Sequence, residues 1–185
     1  MQTYIAILRG INVGGQKSVK METLRAMCDE LKFKNTQTYI QSGNIIFQFK
    51  ETSTTELEKK IAKKIRETFG FDVPVIVKNI PELKVVLKNN PYVKRKEDIT
   101  KLHVTFLNGE PEKALHSKIK DLKFEEDEFV VDGANIYLFC PKNYGNSKLS
   151  NNFFENKLKL TATTRNWKTV NELVKIADEI SGSKK

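Results

Sequence analysis

Histidine and cysteine are scarce in this 185-residue chain, with two of each. That scarcity removes most metal and nucleophile chemistry. His103 falls in a strand-like run and His116 on a lysine-flanked helix, and neither has cysteine or carboxylate partners at ligand spacing. Cys28 lies on the apolar stripe of an expected helix and Cys140 ends a strand before Pro141, so both read as small buried hydrophobes. No apolar run approaches the roughly 18 residues that a membrane span needs, and no membrane partner is expected. Met1-Gln2-Thr3 lacks the charged and apolar regions of a signal peptide, which points to a cytoplasmic protein. Ser42 stands in Gln-Ser-Gly, a turn signal and not a hydrolase elbow.

What the chain has is charge. The formal net charge is +9. The excess of Lys and Arg is five up to Asn79 and four beyond it, with no basic tail. An even excess of this kind gives weak attraction to any polyanion and does not by itself make a nucleic-acid-binding protein.

The first 79 residues alternate regularly. Thr3 to Arg9 reads as a buried strand, and Met21, Leu24, Met27, Cys28 and Leu31 recur at helical spacing. Thr36 to Gln41 and Ile45 to Phe49 flank the turn signal Ser42-Gly43-Asn44, which predicts a hairpin. Thr55 to Glu58 has the form of a capping box before a helix burying Leu57, Ile61, Ile65 and Phe69, and Gly70 stops that helix. Val73 to Val77, with Pro74, reads as an edge strand. The order β-α-β-β-α-β predicts an α+β fold with a ferredoxin-like N-terminal half, residues 1–79. In that topology the loop after the first strand and the tip of the hairpin share one end of the sheet.

The rest is less regular. Pro81 opens a short helix, Lys101 to Leu107 is a strand, Pro111 starts a helix through Leu122, and Phe129 to Phe139 forms a hairpin across Asp132-Gly133. Residues 80–141 are therefore expected to form a second, irregular ferredoxin-like αβ subdomain. Residues 142–185 are expected to form a C-terminal helical segment packing back on the first half. Asn166 caps its last helix, and Trp167 opens the apolar stripe as a core anchor.

Two stretches are unusual in composition. Arg9-Gly10-Ile11-Asn12-Val13-Gly14-Gly15-Gln16-Lys17-Ser18 crowds glycines and cations between a strand and a helix. It approaches a P-loop, but Gln16 intervenes before Lys17-Ser18, and the following hairpin is incompatible with the parallel sheet that a P-loop requires. A simpler anion site remains. Arg9, Lys17, Lys148 and Arg165 are its candidate cations, the Gly14 and Gly15 amides its backbone donors, and Asn12, Gln41, Asn44 and Asn166 its neutral polar groups. The competing reading is a structural network among the same side chains, in which Arg165 pairs with Glu155.

Arg9-Gly10-Ile11-Asn12-Val13-Gly14-Gly15, Thr38-Tyr39-Ile40-Gln41-Ser42-Gly43-Asn44 and Thr163-Thr164-Arg165-Asn166-Trp167 together resemble the bacterial family called domain of unknown function 1697. Ser147-Lys148-Leu149, Glu155 and Leu158 also match its pattern. The resemblance implies an α+β fold of ferredoxin-like units in a soluble bacterial protein, and it brings no activity with it. No cofactor is expected. The leading expectation is a protein that binds an anionic small molecule, a nucleotide or phosphorylated metabolite, at the glycine-rich loop. A nucleic-acid-binding module and an enzyme of unknown reaction are the alternatives. The aromatic strand signature of RNA-binding sheets is absent from Ile45-Ile46-Phe47-Gln48-Phe49.

Overall fold

A computed structural model describes residues 1–182. They divide into two compact units, residues 1–84 with 172–182, and residues 85–171. In the first, β1 (Gln2–Leu8), α1 (Met21–Glu30), β2 (Lys34–Tyr39), β3 (Asn44–Phe49), α2 (Thr54–Phe69) and β4 (Val75–Asn79) follow in order. The sheet order is β2-β3-β1-β4 with antiparallel neighbours, the ferredoxin-like arrangement that the alternating pattern predicts. Among the described residues every strand pair is antiparallel, unlike the parallel sheet that a P-loop requires.

Alternation along β1 decides which side chains meet the helices. Tyr4, Ala6 and Leu8 join Ile45, Phe47, Val75 and Val77 under Leu24, Met27 and Cys28 of α1 and Leu57, Ile61 and Ile65 of α2. The other face is also buried, with Ile5, Ile7, Ile46 and Ile76 at 0 or 1% exposure. The end of α7 (Trp167–Gly182) lies against this second face: Gln48 Nε2 donates to Ile180 O at 3.3 Å, and the Thr3 and Ser181 hydroxyls share a 2.7 Å bond.

The cap of α2 differs from the sequence expectation. Ser53, not Thr55, is the N-cap, accepting from Glu56 N–H at 3.2 Å, while Glu58 Oε1 accepts from Val77 N–H at 2.9 Å. The helix starts two residues earlier than the capping-box pattern placed it, which frees Glu58 to bind the edge strand. Gly70 ends the helix in the left-handed conformation, as its position predicts.

After β4 the chain continues into α3 (Ile80–Asn89) and the short α4 (Pro91–Lys94), the latter capped by Asn90. The second unit then repeats the first topology: β5 (Leu102–Leu107), α5 (Lys113–Ile119), β6 (Glu128–Asp132), β7 (Asn135–Phe139), α6 (Asn151–Leu158) and β8 (Ala162–Asn166). Its sheet order is β6-β7-β5-β8, again antiparallel. Residues 142–166, read from sequence as part of a helical segment, include β8, the fourth strand of this sheet. Ala162-Thr163-Thr164-Arg165-Asn166 has no hydrophobic alternation to mark it as one. It pairs with β5 along its length, Ala162 enters the core, and its polar side chains add bonds, the Thr105 and Thr164 hydroxyls sharing a 2.7 Å bond and Thr164 Oγ1 donating to Asn151 Oδ1 at 2.7 Å. The helix expected from Pro111 is shorter, starting after Glu112. The core joins Leu107, Ile136, Leu138 and Cys140 to Leu149, Phe154 and Leu158. Among the described residues no helix is long and apolar enough to cross a membrane.

Candidate functional site

Because β1 and β2 run the same way, the loop after β1 and the β2–β3 turn meet at one end of the first sheet, joined there by the segment entering β4. Leu8 N–H donates to Gly43 O at 2.8 Å, Arg9 N–H to Pro74 O at 3.0 Å, and Asn12 Nδ2 to Gln41 O at 3.0 Å. Arg9, Asn12, Gly14, Gly15, Lys17, Gln41 and Asn44 therefore share this end.

The glycine loop is a miniature hairpin. Asn12 N–H donates to Lys17 O at 3.2 Å and Gln16 N–H to Val13 O at 3.1 Å, with Gly14 and Gly15 at the tip at φ 59° and 75°. Two central residues of positive φ are the requirement of a type I′ turn, and only glycine meets it twice without strain. Two amides of this stretch thus close the hairpin and are not available to a ligand. Gly14 and Gly15 are exposed, and a Cβ on either would meet nothing within 4 Å.

The polar side chains divide into braces and exposed groups. Asn12 accepts from Val19 N–H at 2.8 Å and donates from Nδ2 to Val19 O and Gln41 O, so both its amide protons are engaged. Asn44 is fully buried and donates to Tyr39 O at 3.0 Å and Ser42 Oγ at 3.3 Å. These two asparagines hold the loops together. Lys17 is exposed and reaches Asp72 O at 2.7 Å, Gln41 is exposed, and Arg9 is half-buried. Residues 9–20, 40–43 and 70–74 carry three cations, Arg9, Lys17 and Lys20, against one carboxylate, Asp72. Arg66 at the end of α2 stands 3.6 Å from that carboxylate. The sequence reading missed Lys20 and Arg66, because only the fold brings Lys20 and the end of α2 to this edge. It also missed two exposed aliphatics, Val13 and Ile40.

Lys148, Arg165 and Asn166 belong to the second unit. Lys148 is exposed beside a hollow of about 180 Å³ whose rim includes Glu125, Glu126 and Asp127, a mixed and not an anion-selective setting. Asn166 Oδ1 accepts from Thr169 N–H at 2.8 Å and caps α7, as its sequence position predicts. Arg165 is 8% exposed and donates from Nη1 to Thr164 O at 2.9 Å and Thr163 Oγ1 at 3.3 Å. Burial lowers its pKa to about 10, which leaves it charged at neutral pH. In the same unit His103 stacks on Tyr144 at 4.5 Å between ring centroids, with a buried Nδ1 that has no hydrogen-bond partner. No group of three His, Cys, Asp or Glu side chains able to hold a metal occurs among the described residues.

The family model described as a protein of unknown function (DUF1697) matches residues 1–137. The chain belongs to this DUF1697 family. The match includes both loop motifs at the end of the first sheet and stops short of β8. Among solved structures, the conserved bacterial protein SP0830 from Streptococcus pneumoniae is similar, with a TM-score of 0.74 and 23% identity over 95% of this chain and 98% of that one. That likeness concerns the fold of the DUF1697 chain. No curated protein matches it.

Proposed function

We propose that this DUF1697 protein is a binding protein for an anionic ligand, a nucleotide or phosphorylated metabolite, taken up at the loop end of its first unit. The observation that carries the reading is the convergence of Arg9, Lys17 and Lys20 on one end of the first sheet, where Asp72 is the only acid of the three loops and already lies beside Arg66. The exposed Gly14-Gly15 tip lets a phosphate approach the backbone without meeting a side chain. Arg9 supplies the planar fork suited to two bonds with one phosphate, and Lys17 a point charge. Arg165, almost buried and spent partly on its own strand, fits a structural part better than a ligand contact.

A nucleic-acid backbone is the second reading, supported by the same cations. The stacking mode of RNA-binding sheets has no support, since Ile5, Ile7, Ile46 and Ile76 present aliphatic, buried side chains.

Thermal melting against a panel of nucleotides and sugar phosphates tests the proposal. A ligand at 100 times its Kd should raise Tm by roughly 5–10 °C in a protein of this size. Arg9→Ala and Lys17→Ala, each compared with its own unliganded Tm, should reduce that rise. The absence of any shift at millimolar phosphate ligand sinks it.

A further inference from the structure

A soluble phosphate accounts for the cations at the loop end but not for the aliphatic side chains among them. Val13 is 64% exposed and Ile40 46% exposed. The bond from Asn12 Nδ2 to Gln41 O joins their immediate neighbours in sequence, so the two loop tips stand side by side. Ile40 has φ 51°, a conformation that β-branched residues rarely adopt, and Val13 directly precedes the glycine tip. Residues 13–18 are all exposed. The end of the sheet thus presents two exposed aliphatics, Val13 and Ile40, on neighbouring loops, the first of which also carries Arg9, Lys17 and Lys20.

We infer that this loop end docks on an anionic lipid surface, with Val13 and Ile40 entering the headgroup–acyl boundary and the three cations against the lipid phosphates. The inference rests on the anion-binding reading for its cations and adds the occupant of the aliphatic tips. Three kinds of partner fit the charge, and size and chemistry separate them. A stable protein interface takes about 20–30 residues a side, whereas these tips offer about ten. Single-stranded nucleic acid is gripped by stacking on exposed aromatic rings, whereas Tyr39 beside Ile40 and Phe71 in the third loop are both partly buried. A lipid surface needs neither area nor rings. It takes up aliphatic side chains, and each Lys or Arg near an anionic leaflet contributes about fivefold to the association. A surface contact of this kind requires no spanning segment.

Co-sedimentation of the full chain with equimolar phosphatidylserine–phosphatidylcholine vesicles tests the inference, with pure phosphatidylcholine vesicles as the neutral arm. Binding is expected to the anionic vesicles only and to weaken with salt. Val13→Asp should lower it by about tenfold or more, since it replaces an inserting side chain with a repelled one. Val93→Asp, at another exposed aliphatic position, should leave it unchanged. Melting with pyrophosphate runs in parallel on the wild type and Val13→Asp. A pyrophosphate shift without vesicle binding overturns the lipid inference and leaves the anion reading standing, whereas neither response overturns both. Equal binding to neutral vesicles, undiminished binding by Val13→Asp, or retention of RNA in place of vesicles also overturns it.

Discussion

Asn12 reaches across the end of the first sheet to the carbonyl of Gln41 at 3.0 Å while its other bonds clamp Val19. One side chain therefore fixes both the glycine hairpin and its distance from the β2–β3 turn. Asn12→Ala leaves the Val19 amide and carbonyl without these partners. The expected loss is about 1–3 kcal/mol in denaturant unfolding, the cost of unsatisfied buried polar groups. Asn12→Asp keeps the acceptor for Val19 N–H and should fall between alanine and wild type. Stability within about 0.5 kcal/mol of wild type for the alanine variant would show that water replaces these bonds at no cost.

Gly43 and Gly14 offer a controlled pair. Both have positive φ, 86° and 59°, but a Cβ on Gly43 would lie 2.6 Å from Ile11 Cδ1 and 2.8 Å from Leu8 Cβ, while one on Gly14 would meet nothing. Gly14→Ala should cost about 1–2 kcal/mol from backbone strain alone. Gly43→Ala adds overpacking of a further ~1–3 kcal/mol. Equal losses from the two would remove the steric part of this account.

His103 makes stability depend on pH in a narrow window. Burial lowers its pKa. The unfolded chain then binds the proton more readily than the folded one, so stability is full above about pH 6.5 and falls as pH drops through the folded pKa. The slope from one group cannot exceed about 1.4 kcal/mol per pH unit. His103→Phe, which keeps a ring against Tyr144, should lose this part of the pH profile. Parallel profiles from pH 7 to 5 for the two proteins would assign the acid sensitivity elsewhere.

Both thiols are predicted to be inert in the native state. Burial raises Cys28 to about 12 and Cys140 to about 11, leaving almost no thiolate at neutral pH. A disulfide reagent at pH 8 should titrate neither cysteine quickly in native protein and both in denaturant. Rapid native reaction of one thiol would contradict its placement.

Strong periodicity made the first unit legible. Leu57, Ile61 and Ile65 mark α2 at helical spacing, and Ser42-Gly43-Asn44 marks the hairpin, because in both places hydrophobic burial follows local pattern. Where polar contacts do the holding, the pattern is silent. β8 is fixed by its ladder with β5 and by the Thr164 hydroxyl, and no apolar alternation marks it in the sequence. Ser53 and Thr55 are chemically alike as caps, and only the register of α2 tells them apart. At the candidate site, topology foretold the meeting of the loop after β1 with the β2–β3 turn. Composition could not separate Asn12 and Asn44, which brace the loops, from Lys17 and Gln41, which face solvent. Nor does composition give Val13 and Ile40 meaning until the fold sets their loops together.

The first unit is discontinuous, residues 1–84 being joined by 172–182, whereas the second is one unbroken stretch. During synthesis β1 must wait for β4 to emerge before its sheet is complete, and Gln48 and Thr3 must wait further for Ile180 and Ser181. The second unit has all of its residues by 171. The half of the protein that leaves the ribosome first is accordingly the last to be finished, and its second sheet face acquires the α7 contacts only when the chain's final helix has been made.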